Sequence, residues 1–129
     1  MKRNAALLLL ALLPAMAPAK CVELTYLFEG QVLDESGKPA AGALVGASWL
    51  QFGQAAGPAI AIADGKGRYR LSVKFRPNDM QMFGAACKDR LDRINVVAYA
   101  DGRRSYPTPI MITELKQELP SMSISEASR

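Results

Sequence analysis

The chain of 129 residues contains no histidine. That absence excludes Ser-His-Asp and Cys-His nucleophilic catalysis, H-E-x-x-H zinc sites and most transition-metal centres together. Long apolar runs are missing too. The longest, Ala5–Leu13, is broken by Pro14 and falls short of the about 20 residues that span a bilayer. No stretch after residue 20 keeps a helical period over ten residues, which excludes a helical bundle. Cysteine occurs only twice, at Cys21 and Cys87.

What the first residues do hold is a secretory pattern. Lys2 and Arg3 precede the apolar run, and small residues follow it, ending Ala17-Pro18-Ala19. A charged start, a short apolar middle and an A-x-A site predict a cleavable signal peptide over residues 1–19. The cut is expected between Ala19 and Lys20, because cutting after Ala17 would leave Pro18 first. Lys20 occupies the place where lipidation of Cys21 would need a small residue, so a lipoprotein is rejected. Without residues 1–19 the sixteen basic residues become fourteen against twelve acidic ones, and the net charge falls from +4 to +2. A nearly neutral surface gives no electrostatic reason to expect nucleic acid or an anionic membrane. Residues 20–129 suffice for one domain with one core. The even cysteine count in an exported chain favours a Cys21–Cys87 disulfide. Closing so long a loop contributes roughly 2–4 kcal/mol on the chain-entropy model.

The remaining periodicity is that of strands. Val22, Leu24, Tyr26 and Phe28 alternate with Glu23, Thr25, Leu27 and Glu29, and the turn formers Asp34–Pro39 end the run. Ala43–Leu50 is a second strand, with Gly46 suggesting a bulge. Gln51–Pro58 is expected to be a loop, Ala59–Ala63 a short strand, and Asp64-Gly-Lys-Gly67 a hairpin turn. Tyr69, Leu71, Val73 and Phe75 then alternate with Arg68, Arg70, Ser72 and Lys74, a core face against a water face. Arg76–Arg90 is a long connection. Leu91–Ala100 is a strand apolar on both sides, Asp101-Gly102 a hairpin turn, and Arg103–Ile112 an edge or irregular stretch containing Pro107 and Pro109. Leu115–Ile124 is a last strand interrupted by Pro120, and Ser125–Arg129 a frayed tail. Six or seven short strands with regular turns predict an all-β sandwich or barrel.

Gly30-Gln-Val32, Asp34, Gly37-Lys-Pro39, Gly42-Ala43 and Val45 resemble the opening of carboxypeptidase regulatory-like domains. Ala63-Asp64-Gly65-Lys66-Gly67-Arg68-Tyr69-Arg70-Leu71 is similar to that family's second signature, and Val97–Arg103 to its third. The resemblance runs over about residues 22–124. It implies a seven-stranded Greek-key β-sandwich of the transthyretin (prealbumin-like) kind, serving as an accessory, structural or binding module. Hydroxyisourate hydrolases, the enzymatic cousins of transthyretin, rely on histidines that this chain lacks. The connection at Arg76–Arg90, with Cys87, is not part of the family's basic pattern.

No catalytic, metal or cofactor site emerges. Asp34/Glu35 and Asp89/Asp92 flank turns and read as solvated charges. Calcium at Asp34 or Asp64 would lack ligands and meet Lys38 and Lys66. Met80, Met82 and Phe83 read as an apolar plug and not as a soft-metal site. Lys88, Arg90, Arg93, Arg103 and Arg104 are a candidate binding patch for an acidic partner or glycan, or else a solvated rim that guards strand edges. Trp49, followed by Phe52, belongs either to the core or to a binding surface. The expected protein is a periplasmic or secreted, non-catalytic module that binds a protein or glycan partner in the cell envelope. The alternative is an inhibitor or immunity-type protein that inserts Gln51–Pro58 or Arg76–Arg90 into a cell-wall enzyme or toxin.

Overall fold

A computed structural model describes residues 21–77 and 87–127. The expected signal peptide, the apolar plug expected at Met80, Met82 and Phe83, and the last two residues lie outside them. The described residues form ten strand segments: β1 (Leu24–Leu33), β2 (Leu44–Gln51), β3 (Gln54–Ile62), β4 (Arg68–Phe75), β5 (Arg93–Ala100), β6 (Arg103–Arg104), β7 (Thr108–Met111), β8 (Lys116–Glu118), β9 (Met122–Ser123) and β10 (Glu126–Ala127). They make two sheets packed face to face. The smaller holds β4-β1-β8 with β9 also on β1, and the larger runs β10-β6-β5-β2-β3 with β7 also on β5.

Alternation dictates which side chains meet between the layers. Tyr26, Phe28 and Val32 of β1 and Tyr69, Leu71, Val73 and Phe75 of β4 point inward from one sheet. Val45, Ala47, Ile94, Val96 and Ala98 point inward from the other. Full burial of each large aliphatic or aromatic side chain contributes about 1.5–3 kcal/mol. The Tyr26 and Phe28 rings stack at 6.4 Å, and the Tyr26 hydroxyl accepts the Leu91 amide at 3.2 Å, tying the entry to β5 onto the smaller sheet. Ser105 is the one buried polar side chain among the described residues. Its Oγ accepts the Ala98 amide at 2.9 Å.

Cys21 and Cys87 are joined by a disulfide. It anchors the entrance to β1, beside an exposed Val22.

Several expectations need correction. Gln51–Pro58 is not a loop: β2 turns at Phe52-Gly53 and returns as β3, paired Leu50 to Ala55 and Trp49 to Ala56. The bulge lies between Ala47 and Trp49, not at Gly46. Asp64–Gly67 does not close a hairpin, because β3 and β4 belong to different sheets; the turn carries the chain from one layer to the other. The Leu115–Ile124 stretch splits into β8 and β9, both parallel to β1. Residues Glu126–Ala127 do not fray but pair with β6. Asp101-Gly102 does make the expected hairpin turn, with Tyr99 opposite Arg104.

The turns at Asp34 and Asp64 are copies of one device. In each, the aspartate amide donates to the carbonyl four residues on, Asp34 to Lys38 at 2.7 Å and Asp64 to Arg68 at 2.8 Å. In each, one carboxylate oxygen accepts two amides, from Ser36 and Lys38 (both 2.9 Å) and from Lys66 and Arg68 (2.8 and 3.0 Å). The second turn docks on the end of β1: Val32 donates to the Gly67 carbonyl at 2.7 Å. A Cβ on Gly67 would lie 2.5 Å from the Val32 oxygen, and its φ is +72°, so only glycine fits there.

Candidate interaction surface

The two sheets present opposite kinds of surface to water. Outside the smaller sheet stand Arg68, Arg70, Ser72 and Lys74 of β4, all exposed. Arg70 pairs with Glu29 of β1 at 3.0 Å and Arg68 with Glu118 of β8 at 3.8 Å. Exposed pairs of this kind contribute at most about 1 kcal/mol, but they keep that face charged and wet.

The larger sheet has an apolar outer face. Register places its side chains in rows across the strands. Leu44 lies between Ile62 of β3 and Tyr99 of β5, and Gly46 lies between Ile60 and Val97. Ser48 faces Asn95, which pairs in turn with Pro109 of β7, and Met111 ends the face opposite Arg93. Exposure reaches 70% at Ile62, 58% at Ile60, 64% at Met111 and 42% at Tyr99. Contiguous apolar patches of this sort mark interaction sites more often than scattered exposed residues do.

The middle of this face is a shallow trough of about 210 Å³ with Gly46 and Ser48 in its floor. Pro58 and Ile60 form one wall, and Val97 and Tyr99 the other. A Cβ on Gly46 would meet nothing within 4 Å, so packing does not demand glycine there. The small floor residue leaves room for something else.

A larger hollow, about 450 Å³, lies between the Asp34 turn and the Asp101 turn. Three of its charged side chains, those of Asp34, Glu35 and Arg103, are already engaged. Asp34 caps its own turn, and Glu35 is ion-paired with Arg103. Hydrogen bonds from Ser36 and Lys38 hold the Asp34 carboxyl below its usual range, and those from Arg68 and Lys66 do the same for Asp64. The described residues contain no group of three or more His, Cys, Asp and Glu side chains able to hold a metal ion. Burial pushes the Tyr69 hydroxyl up to about 12.

The structure does not gather the basic candidates into one patch. Arg93 opens β5 while Arg103 and Arg104 lie beyond its far end, roughly 23 Å away at about 3.3 Å per residue. Arg90 donates to the carbonyls of Cys87 and Asp89 at 2.8 and 2.9 Å and so braces the loop at the disulfide. Lys88 is exposed nearby in sequence. Arg103 pairs with Glu35. Arg104 is half-buried opposite Tyr99, with its Nε out of water and unpartnered. Trp49 is half-buried against the core, whereas Phe52 stands exposed at the β2–β3 turn.

The missed residues are Leu44, Gly46, Ile60, Ile62 and Tyr99. Their signal was present: the runs Leu44–Leu50, Ala59–Ala63 and Val96–Tyr99 are uncharged on both alternating faces. Two-sided apolarity means either a covering layer or a surface awaiting one.

The architecture is a two-sheet β-sandwich. No protein-family model matches the chain, and no curated protein sequence matches it. Solved structures of the same fold include chlorocatechol 1,2-dioxygenase from Pseudomonas putida, at TM-score 0.53 and 13% identity over 78% of this chain and 61% of that one. They also include 3-chlorocatechol 1,2-dioxygenase from Rhodococcus opacus 1CP, at 0.52 and 14% over 81% and 61%. Catechol 1,2-dioxygenase from Pseudomonas arvilla C-1 matches at 0.52 and 14% over 89% and 57%. The chain thus spans about three-fifths of the length of these structures. At such identities the likeness is one of fold alone.

Proposed function

We propose that the chain is an exported, non-catalytic β-sandwich module that works by binding a protein or glycan partner in the periplasm or cell envelope, after removal of residues 1–19. The observation that carries the binding role is the contrast between a charged outer face on the smaller sheet, where Arg68 and Arg70 are ion-paired, and an apolar, glycine-floored trough on the larger. The disulfide supports export, since such bonds persist in oxidising compartments. Lack of histidine and the engagement of Asp34 and Asp64 in their own turns support a non-catalytic role.

The seven-stranded Greek-key reading of the carboxypeptidase regulatory-like kind fits if β6 with β7, and β8 with β9, each count as one interrupted strand; β10 is then an addition. The blocking-protein alternative loses one of its two insertion loops, because Gln54–Ile62 is a strand in the sheet.

Gly46→Val tests the binding role. The Cβ of the new side chain meets nothing within 4 Å, its methyl groups project into the trough, and valine suits a strand. The fold should be retained or slightly stabilised while capture of the envelope partner is lost; Arg70→Glu on the other face should leave capture unchanged. Unimpaired capture by Gly46→Val, together with loss in Arg70→Glu, would refute the assignment of this face.

A further inference from the structure

The larger sheet ends at β3, and among the described residues nothing pairs with its outer edge. Open edges are ordinarily guarded by charge, by proline or by a bulge. β3 carries no charge, and its one proline, Pro58, guards only the first part of Gln54–Ile62 and leaves Ala59–Ile62 without such a guard. Which of its backbone groups are free follows from the pairing with β2. Ala63 donates to the Ala43 carbonyl at 2.8 Å and accepts from Gly42 at 3.0 Å, so Ala63, Ala61 and Ala59 direct their backbone groups toward β2. Strand alternation then turns the N–H and C=O of Ile60 and Ile62 to the open edge. The same two residues are exposed, at 58% and 70%.

The segment is also symmetric. Ala59-Ile60-Ala61-Ile62-Ala63 reads the same in both directions about Ala61. An antiparallel copy of it laid along the edge with a two-fold axis at Ala61 sets Ile60 against Ile62 of the second copy and alanine against alanine. Each isoleucine then exchanges both backbone hydrogen bonds with its mate, and no charge meets a like charge. Pro58, lacking an N–H, bounds the paired stretch on one side. The bounded stretch suits an interface of the small, reversible class.

We propose that Ala59–Ala63 is a dimerisation edge, pairing antiparallel with the same segment of a second copy of this chain so that the two larger sheets become one continuous sheet. The proposal rests on reading the larger sheet as the binding side and names a second copy as one of its partners.

Register makes the test specific. Directly opposed residues that do not exchange hydrogen bonds lie with Cα atoms about 4.5 Å apart, within disulfide reach. Ala61 occupies that position against itself. Mild oxidation of Ala61→Cys should therefore yield a disulfide-linked dimer rapidly. Ile60→Cys, whose own mate lies on the diagonal at roughly 7–8 Å, should cross-link far more slowly. The unmodified chain should show mass rising from monomer toward dimer with concentration in sedimentation equilibrium, and Ile62→Lys, at an exposed site that the fold does not need, should remain monomeric. A monomer at every concentration, or Ala61→Cys cross-linking no faster than Ile60→Cys, overturns the proposal. If the unmodified chain is monomeric while Gly46→Val still loses envelope capture, only the dimer fails and the binding face stands. If capture is also unchanged, both fail.

Discussion

Gly30 and Tyr69 face each other across β1 and β4, and the tyrosine ring lies over the glycine. A Cβ at position 30 would sit 2.5 Å from the Tyr69 hydroxyl oxygen, 2.7 Å from Cζ and 2.9 Å from Cε1. The ring is 97% buried by its 3% exposure, so it cannot swing into water to make room. Gly30→Ala should then carry an overpacking penalty of about 1–3 kcal/mol, offset by about 0.4–1 kcal/mol from the stiffer unfolded chain. The expected net loss is about 1–2 kcal/mol in urea unfolding. Tyr69→Phe acts in the opposite direction, because the hydroxyl is buried with no hydrogen-bond partner, and removing such a group relieves a desolvation penalty of about 1–3 kcal/mol. The double variant should lose less stability than the single changes sum to, since the closest of the three clashes disappears with the hydroxyl. The same desolvation gives a pH signature. With the folded value raised from 10.0 to about 12, the neutral tyrosine's contribution is complete below pH 10 and lost as pH rises toward 12, so this phenol should ionise only with alkaline unfolding. Gly30→Ala proving as stable as the parent, or no coupling between the two positions, would refute the packing described.

Ser105→Ala should cost about 1–3 kcal/mol by leaving the buried Ala98 amide without its acceptor, measured by chemical denaturation, with Ser105→Thr restoring part of the loss. Reduction of the Cys21–Cys87 disulfide, or the Cys21→Ser/Cys87→Ser variant, should lower stability by about 2–4 kcal/mol while the strand spectrum in circular dichroism is retained. Asp34 and Asp64 have folded values below 3.8; their stabilisation is therefore present above that pH and lost as pH falls through the lowered values. Asp34→Asn and Asp64→Asn should flatten the acid limb of the melting temperature against pH, and an unchanged limb would deny both turns their carboxylate caps.

The strands most legible in the sequence were those with one charged face. Arg68–Phe75 alternates cleanly because its outward residues meet water, and its boundaries match β4. Leu24–Leu33 was legible for the same reason. The last part of β3 was read as the short strand Ala59–Ala63, but its first part was not, since Gln-Ala-Ala-Gly-Pro has loop composition and small residues carry no period-two contrast; the strand character of that part comes from pairing with β2. The Asp64 turn was legible as a turn but not as a sheet switch. The hydrogen bonds that its composition announces, between Asp64 and Gly67 and between Asp64 and Arg68, close locally within five residues and are indifferent to which layer the next strand joins, whereas the bond that docks the turn on β1, from Val32 to Gly67, has no local signal. That choice is made by burial of Tyr69, Leu71 and Val73 beside β1. The separation of Arg93 from Arg103 and Arg104 was not legible, because their proximity in the chain hides a strand's length between them. The local pattern showed three runs uncharged on both faces, but their assembly into one trough needed the register of three strands.

Site-specific photo-crosslinking in cells tests the central claim most directly, with the probe placed at Leu44 or Tyr99 on the larger sheet and at Ser72 or Lys74 on the smaller. The account predicts defined adducts from Leu44 and Tyr99 and none from Ser72 and Lys74. Adducts arising only from the smaller sheet would contradict it.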